Sequence, residues 1–180
     1  MARYVALLRG INVGGKNKVP MAELRAAFEA AGFDAVETYI QSGNVVFESD
    51  RPRGGLEGDV EAIMERDFAI PVVVAVRSHR QMRTVVTKAP DGFGQSPDTF
   101  HSDVVFLKAP LTPAQALRAL DQREGVDRAW AGTGVVYFQR LSAERTKSRM
   151  SRITSRPEYA NITIRNWNTT TKLLPMLDAR

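Results

Sequence analysis

Short apolar runs and helical stripes alternate along this chain, and the alternation occurs twice. Tyr4–Leu8 (YVALL) has no polar break, which predicts a buried strand. Met21, Leu24 and Phe28 then recur on one helical face over 20–31, with Pro20 suited to the first helical position and Gly32 to the C-cap. Residues 36–40 and 44–48 are β-rich and flank Gln41-Ser42-Gly43-Asn44, which predicts a hairpin. Leu56, Val60, Ile63 and Met64 mark a helix over 56–67, and 72–77 (VVVAVR) a fourth strand. The order β-α-β-β-α-β is that of a ferredoxin-like unit.

The pattern then restarts. Ser78 and Gln81 form a capping box for a linking helix, and residues 89–98 (APDGFGQSPD) are dense in chain breakers. Beyond them the spacing predicts a strand at 103–108 and a helix with Thr112 as cap, Pro113 at its first position and Gln115 closing the box. Strands at 126–130 and 134–139, a helix over 143–154, a strand at 161–166 and a last helix over 169–178 follow. Asn168 or Thr169 is the expected cap of that last helix. VETYIQSGNVVF from Val36 and VDRAWAGTGVVY from Val126 correspond, and Val72–Val74 fall on Ile162–Ile164 at the same offset. The expected fold is α+β: two tandem ferredoxin-like halves with mainly antiparallel sheets, packed on each other. Residues 1–78 form the first subdomain, 79–100 a connecting helix and linker, and 101–180 a C-terminal α+β subdomain.

Composition narrows the class. The chain of 180 residues is 43% apolar and 25% charged, as in ordinary globular proteins. It has no cysteine, which excludes disulfides, thiolate metal sites and cysteine nucleophiles. No apolar run approaches the roughly 20 residues of a membrane span, and the N-terminus lacks a signal-peptide pattern. A soluble, cytoplasmic protein with no membrane partner is expected. Net charge is +5, and Arg140–Arg156 holds six basic residues against Glu144 alone. That imbalance favours an anionic partner, such as a phosphate-containing ligand or nucleic acid.

The connection after the first strand adds candidate chemistry. Between Leu8 and Pro20 lie three glycines, Arg9, Lys16, Lys18 and two asparagines. The second half moves from Lys108 to Thr112 almost directly, so the fold does not need this length. Gly10 to Lys16 fits G-x4-G-K, but Asn17 stands where a P-loop needs a hydroxyl for Mg²⁺, and the expected sheet is antiparallel. What can survive is an anion site: glycine amides at Gly14 and Gly15, charges from Arg9, Lys16 and Lys18, and the following helix start. In a β-α-β-β-α-β unit this loop and the 41–44 turn share one sheet end. Asn12, Gln41, Ser42 and Asn44 are therefore candidates for orienting a ligand. A second polar concentration, ITIRNWNTTTKLL, places Arg165, Asn168 and Thr169 at a helix start, near Ser148 and Arg149 by the same topology. No metal-ligand spacing and no cofactor motif stand out.

LLRGINVGGKNKVPMAELRAAFEAAGF, TYIQSGNVVF and TIRNWNTTTKLL together resemble the uncharacterised bacterial DUF1697 family, over nearly the whole chain. The resemblance implies a two-part α+β fold with a ferredoxin-like subdomain, and no activity, cofactor or catalytic residue. The family's Ser-Lys-Leu-like segment reads Ser148-Arg149-Met150 here, which keeps charge and hydrophobe without a titratable lysine.

Three function classes follow. The first is binding of a phosphate-bearing ligand, nucleotide or nucleic acid, through the Gly/Lys loop. The aromatic pattern of RNA-recognition strands is missing from 44–48 and 134–138, which leaves phosphate contacts as the means. The second is an enzyme on a small anionic substrate; its only histidines are His79 and His101, and no paired carboxylates stand out. The third is a protein-interaction module, which would expose an apolar patch.

Overall fold

The structure is a computed structural model that describes residues 1–179. The chain divides into two compact units: Met1–Arg83 with the segment from Lys172, and Thr84–Thr171. The fold is α+β, with one four-stranded antiparallel sheet in each unit.

Unit 1 runs β1 (Ala2–Arg9), α1 (Met21–Ala30), β2 (Asp34–Tyr39), β3 (Asn44–Ser49), α2 (Arg53–Phe68) and β4 (Val73–Ser78). Its sheet order is β2-β3-β1-β4, the ferredoxin-like order. β1 lies between β3 and β4 and is buried on both faces, which is why YVALL carries no polar residue. Tyr4, Ala6, Leu8, Val45, Phe47, Val74 and Val76 form one sheet face. Against it pack Leu24 and Phe28 of α1 and Leu56, Val60, Ile63 and Met64 of α2. Each such large side chain contributes about 1.5–3 kcal/mol by leaving water. Pro20 is the N-cap of α1 and not its first helical residue.

α3 (His79–Thr87) follows, and the Ser78–Gln81 box is formed in both directions, at 3.2 and 2.9 Å. Unit 2 then runs β5 (Phe100–Leu107), α4 (Pro113–Ala119), β6 (Asp127–Ala131), β7 (Val135–Leu141) and β8 (Ile162–Asn166); α5 (Trp167–Asp178) begins in unit 2 and belongs to unit 1 from Lys172. The sheet order of unit 2, β6-β7-β5-β8, matches that of unit 1. The Thr112–Gln115 box caps α4 as its sequence predicts.

The helix expected over 143–154 is absent. Three 3-10 turns at Ser142–Lys147, Met150–Ser155 and Pro157–Asn161 stand in its place. Ser148 is extended (φ −59°, ψ 143°), and only Met150 and Ile153 reach the core. Two buried contacts cannot hold a regular helix on the sheet. Arg156 precedes Pro157, which excludes helical geometry there.

Candidate functional site

The long connection in unit 1 is an ordered structure. Ile11 and Val19, each 1% exposed, pin its two ends into the core. Between them, Asn12 works as a clasp. Its Nδ2 donates to the carbonyls of Val19 (3.0 Å) and Gln41 (2.8 Å), and its Oδ1 accepts from the Val19 amide at 2.8 Å. Asn17 Nδ2 closes the loop a second time on the Gly10 carbonyl, at 2.8 Å. Asn12 and Asn17 both sit at positive φ, 52° and 51°, which asparagine tolerates better than most residues.

At the tip, the Lys16 amide donates to the Val13 carbonyl at 3.0 Å, and Gly14 and Gly15 take φ of 58° and 74°. Two consecutive positive φ values make a primed hairpin turn. The glycines therefore serve a tight turn first. The Gly14 and Gly15 amides donate to no partner among the described residues and lie in exposed chain. Lys16 and Lys18 are exposed, and among the described residues neither has an ion-pair partner.

The hairpin turn meets this loop, as topology requires. The Leu8 amide donates to the Gly43 carbonyl at 2.9 Å, and a Cβ on Gly43 would lie 2.8 Å from Ile11 Cδ1. With φ at +90°, position 43 admits only glycine comfortably. Asn44 is fully buried; its Nδ2 donates to the Tyr39 carbonyl (2.9 Å) and Ser42 Oγ (3.1 Å). Asn12 and Asn44 thus hold the loops in shape, and Ser42 supports Asn44. Gln41 borders a shallow depression of about 290 Å³ with Asn12, Gly15, Lys18, Val19 and Pro20. Arg9 ends β1 at this same sheet end and is half-buried.

The second candidate group lies in unit 2 and is engaged differently. Arg165 is buried; its Nη1 donates to Thr163 Oγ1 (3.1 Å) and the Ile164 carbonyl (2.9 Å), and burial pushes its pKa down to about 10. The cap of α5 is Asn166, whose Oδ1 accepts from the Thr169 amide at 2.8 Å; the helix starts two residues earlier than expected, so neither Asn168 nor Thr169 caps it. Thr169 is buried and Asn168 exposed. Ser148 Oγ accepts from the Met150 amide (3.3 Å), and the Arg149 amide donates to Asp127 Oδ2 (2.8 Å).

The basic excess of 140–156 is largely paired, by local acids and by one that the fold brings in. Lys147 meets Glu144, Arg149 and Arg152 both meet Asp121, and Arg156 meets Glu158. Such surface pairs add at most about 1 kcal/mol each, but they divide the positive field. The arginines beside it hold the Asp121 carboxyl below the usual range.

Two histidine–aspartate pairs were not expected from the sequence. His79 Nε2 lies 2.5 Å from Asp178 Oδ1, which also accepts from Arg83 at 3.2 Å. His101 Nε2 lies 3.0 Å from Asp103 Oδ1. The second pair had a local signal: positions i and i+2 of a strand share a face. Among the described residues, no three His, Asp or Glu side chains gather as metal ligands do. No helix among them is long and apolar enough to cross a membrane.

Comparison with known proteins agrees with this architecture. The profile of a family described as a protein of unknown function (DUF1697) matches residues 1–137. The conserved bacterial protein SP0830 from Streptococcus pneumoniae is structurally similar, with a TM-score of 0.83, 29% sequence identity and 98% of each chain covered. No curated protein matches the chain.

Proposed function

The chain belongs to the DUF1697 family, and from the geometry of unit 1 we propose that it binds a phosphate-bearing ligand, a nucleotide or nucleic acid, through the loop after β1. One observation carries this. Asn12 and Asn17 spend side-chain hydrogen bonds on holding the loop in shape, while Lys16, Lys18 and the glycines at 14 and 15 are exposed. A loop held this way has lost its ordering entropy before a ligand arrives. Lysines act as point charges for phosphate, and the start of α1, whose cap Pro20 offers no side-chain acceptor, adds favourable partial charge. The cytoplasm, with its nucleotides and RNA, is the compartment that suits this reading.

A thermal-shift series with ATP, pyrophosphate and a short RNA tests it. A ligand at 100 times its Kd should add about 2.7 kcal/mol of stability. The Lys16→Ala, Lys18→Ala double variant should keep its unliganded melting point and lose the shift. For RNA, the affinity should fall with salt at a log–log slope of roughly −0.7 per phosphate contacted. No shift with any of the three, or an equal shift in the double variant, sinks the proposal.

A second reading has its own support. Val13 (65% exposed) and Ile40 (47%) are large apolar side chains on these same two loops. Ile40 also holds φ of +47°, a strained conformation for a β-branched residue. Strain of this kind concentrates at working surfaces. An apolar tip beside lysines also suits a protein partner. In that case Val13→Asp would abolish association while the phosphate series stays silent.

A further inference from the structure

The geometry points to a second binding site, in unit 2: a cavity beside the His101–Asp103 pair that takes a single planar heterocycle with an N–H and carbonyl edge. It lies where β5 begins and β8 passes into α5, and its volume is about 140 Å³. A dry cavity of roughly this size admits benzene, so one six-membered ring fits.

Its walls suit such a ring. Trp167 and Phe100 supply aromatic surface, and His101, Asn166 and Asn168 supply polar groups. The indole is fixed in place. Phe93 meets it edge-on at 5.1 Å and 88°, and a Cβ on Gly94 would lie 2.1 Å from Trp167 Cδ1. Only glycine at 94 lets the backbone pass that close. A wall held so firmly loses little freedom when a ring stacks on it.

The polar edge is organised too. Asp103 is nearly buried (side chain 11% exposed) and fixes His101 through Nε2. When Nε2 donates to Asp103 Oδ1, the lone pair of Nδ1 is left as the ring's acceptor. His101 thereby accepts an N–H. Asn166 uses Oδ1 to cap α5, which leaves its Nδ2 to donate to a carbonyl, and exposed Asn168 offers both functions. Arg140, opposite His101 in the sheet, is the cation that balances Asp103.

Proton NMR of the full chain titrated with uracil tests this. The chain has two histidines and two tryptophans, so His79→Gln and Trp130→Phe assign the His101 and Trp167 ring signals. Uracil should move both signals saturably, and Asn168→Ala should weaken the apparent affinity at least threefold without disturbing the spectrum of the free protein. His101→Gln should weaken it further, read on the Trp167 indole N–H. Signals that stay still, an unchanged affinity in Asn168→Ala, or equal shifts with inorganic phosphate would each overturn the assignment.

Discussion

The two units make the same turn in two ways. Unit 1 passes from β1 to α1 through residues 10–20, whereas unit 2 passes from β5 to α4 through 108–112. Both connections sit beside a hairpin closed by the same bond: the Leu8 amide to the Gly43 carbonyl at 2.9 Å, and the Leu107 amide to the Gly134 carbonyl at 3.1 Å. The short connection is held by the Lys108 amide on the Asn161 carbonyl, the Leu111 amide on the Lys108 carbonyl and the Thr112 capping box. The long one uses two asparagine clasps and two buried anchors to hold a tip that contributes little to the core. Extra chain that is firmly ordered and ends in exposed lysines is the feature on which the proposed phosphate site rests.

The comparison can be broken or sharpened by mutation. Gly43→Ala is expected to cost the most, about 2–4 kcal/mol, from left-handed strain and overlap with Ile11; a lower denaturation midpoint with an unchanged m-value checks it. Asn12→Ala removes three hydrogen bonds and leaves the Val19 amide unmet, an expected loss of about 1–3 kcal/mol. Its counterpart in the short connection, Thr112→Ala, should cost about 1 kcal/mol. If both cost the same small amount, the long loop is not clasped as described. Lys16→Ala and Lys18→Ala should change stability by less than about 0.5 kcal/mol, yet each should weaken pyrophosphate binding by about tenfold, measured calorimetrically.

The smallest effects are in pH dependence, and there the units differ in sign. His79 and Arg83 lower the pKa of Asp178 through hydrogen bonds. Its contribution is present above the unfolded carboxylate value, roughly pH 4, and is lost as pH falls through the depressed folded value. Burial raises the pKa of Asp103 against the pull of His101 and Arg140. Its contribution is complete below the unfolded value and lost as pH rises through the raised folded one. Asp178→Asn should therefore flatten the acid limb of a stability–pH curve. Asp103→Asn should remove a decline that begins above that limb.

Much of this was legible in the sequence. Continuous apolar runs marked the central strands, and the repeat between Val36 and Val126 gave the second sheet from the first. The convergence of the glycine loop with residues 41–44 followed from topology. Side-chain assignments were harder. Asn12 and Asn44 looked like ligand donors because an asparagine offers the same groups to a backbone as to a ligand. The basic run at 140–156 looked bare because Asp121, which pairs with Arg149 and Arg152, is delivered by folding, and Glu158 lies just past its end. The false helix at 143–154 had charged residues with helical propensity but only two residues to anchor it. His79 and Asp178 stand too far apart in sequence for any local pattern to pair them.

The most direct measurement is a ¹⁵N–¹H spectrum of the intact chain titrated with pyrophosphate. Saturable movement of the Gly14, Gly15 and Lys16 amides, absent from the Lys16→Ala, Lys18→Ala double variant, is the expected result. Amide signals at 14–16 that stay fixed while pyrophosphate reaches millimolar concentrations would contradict a phosphate site at this loop.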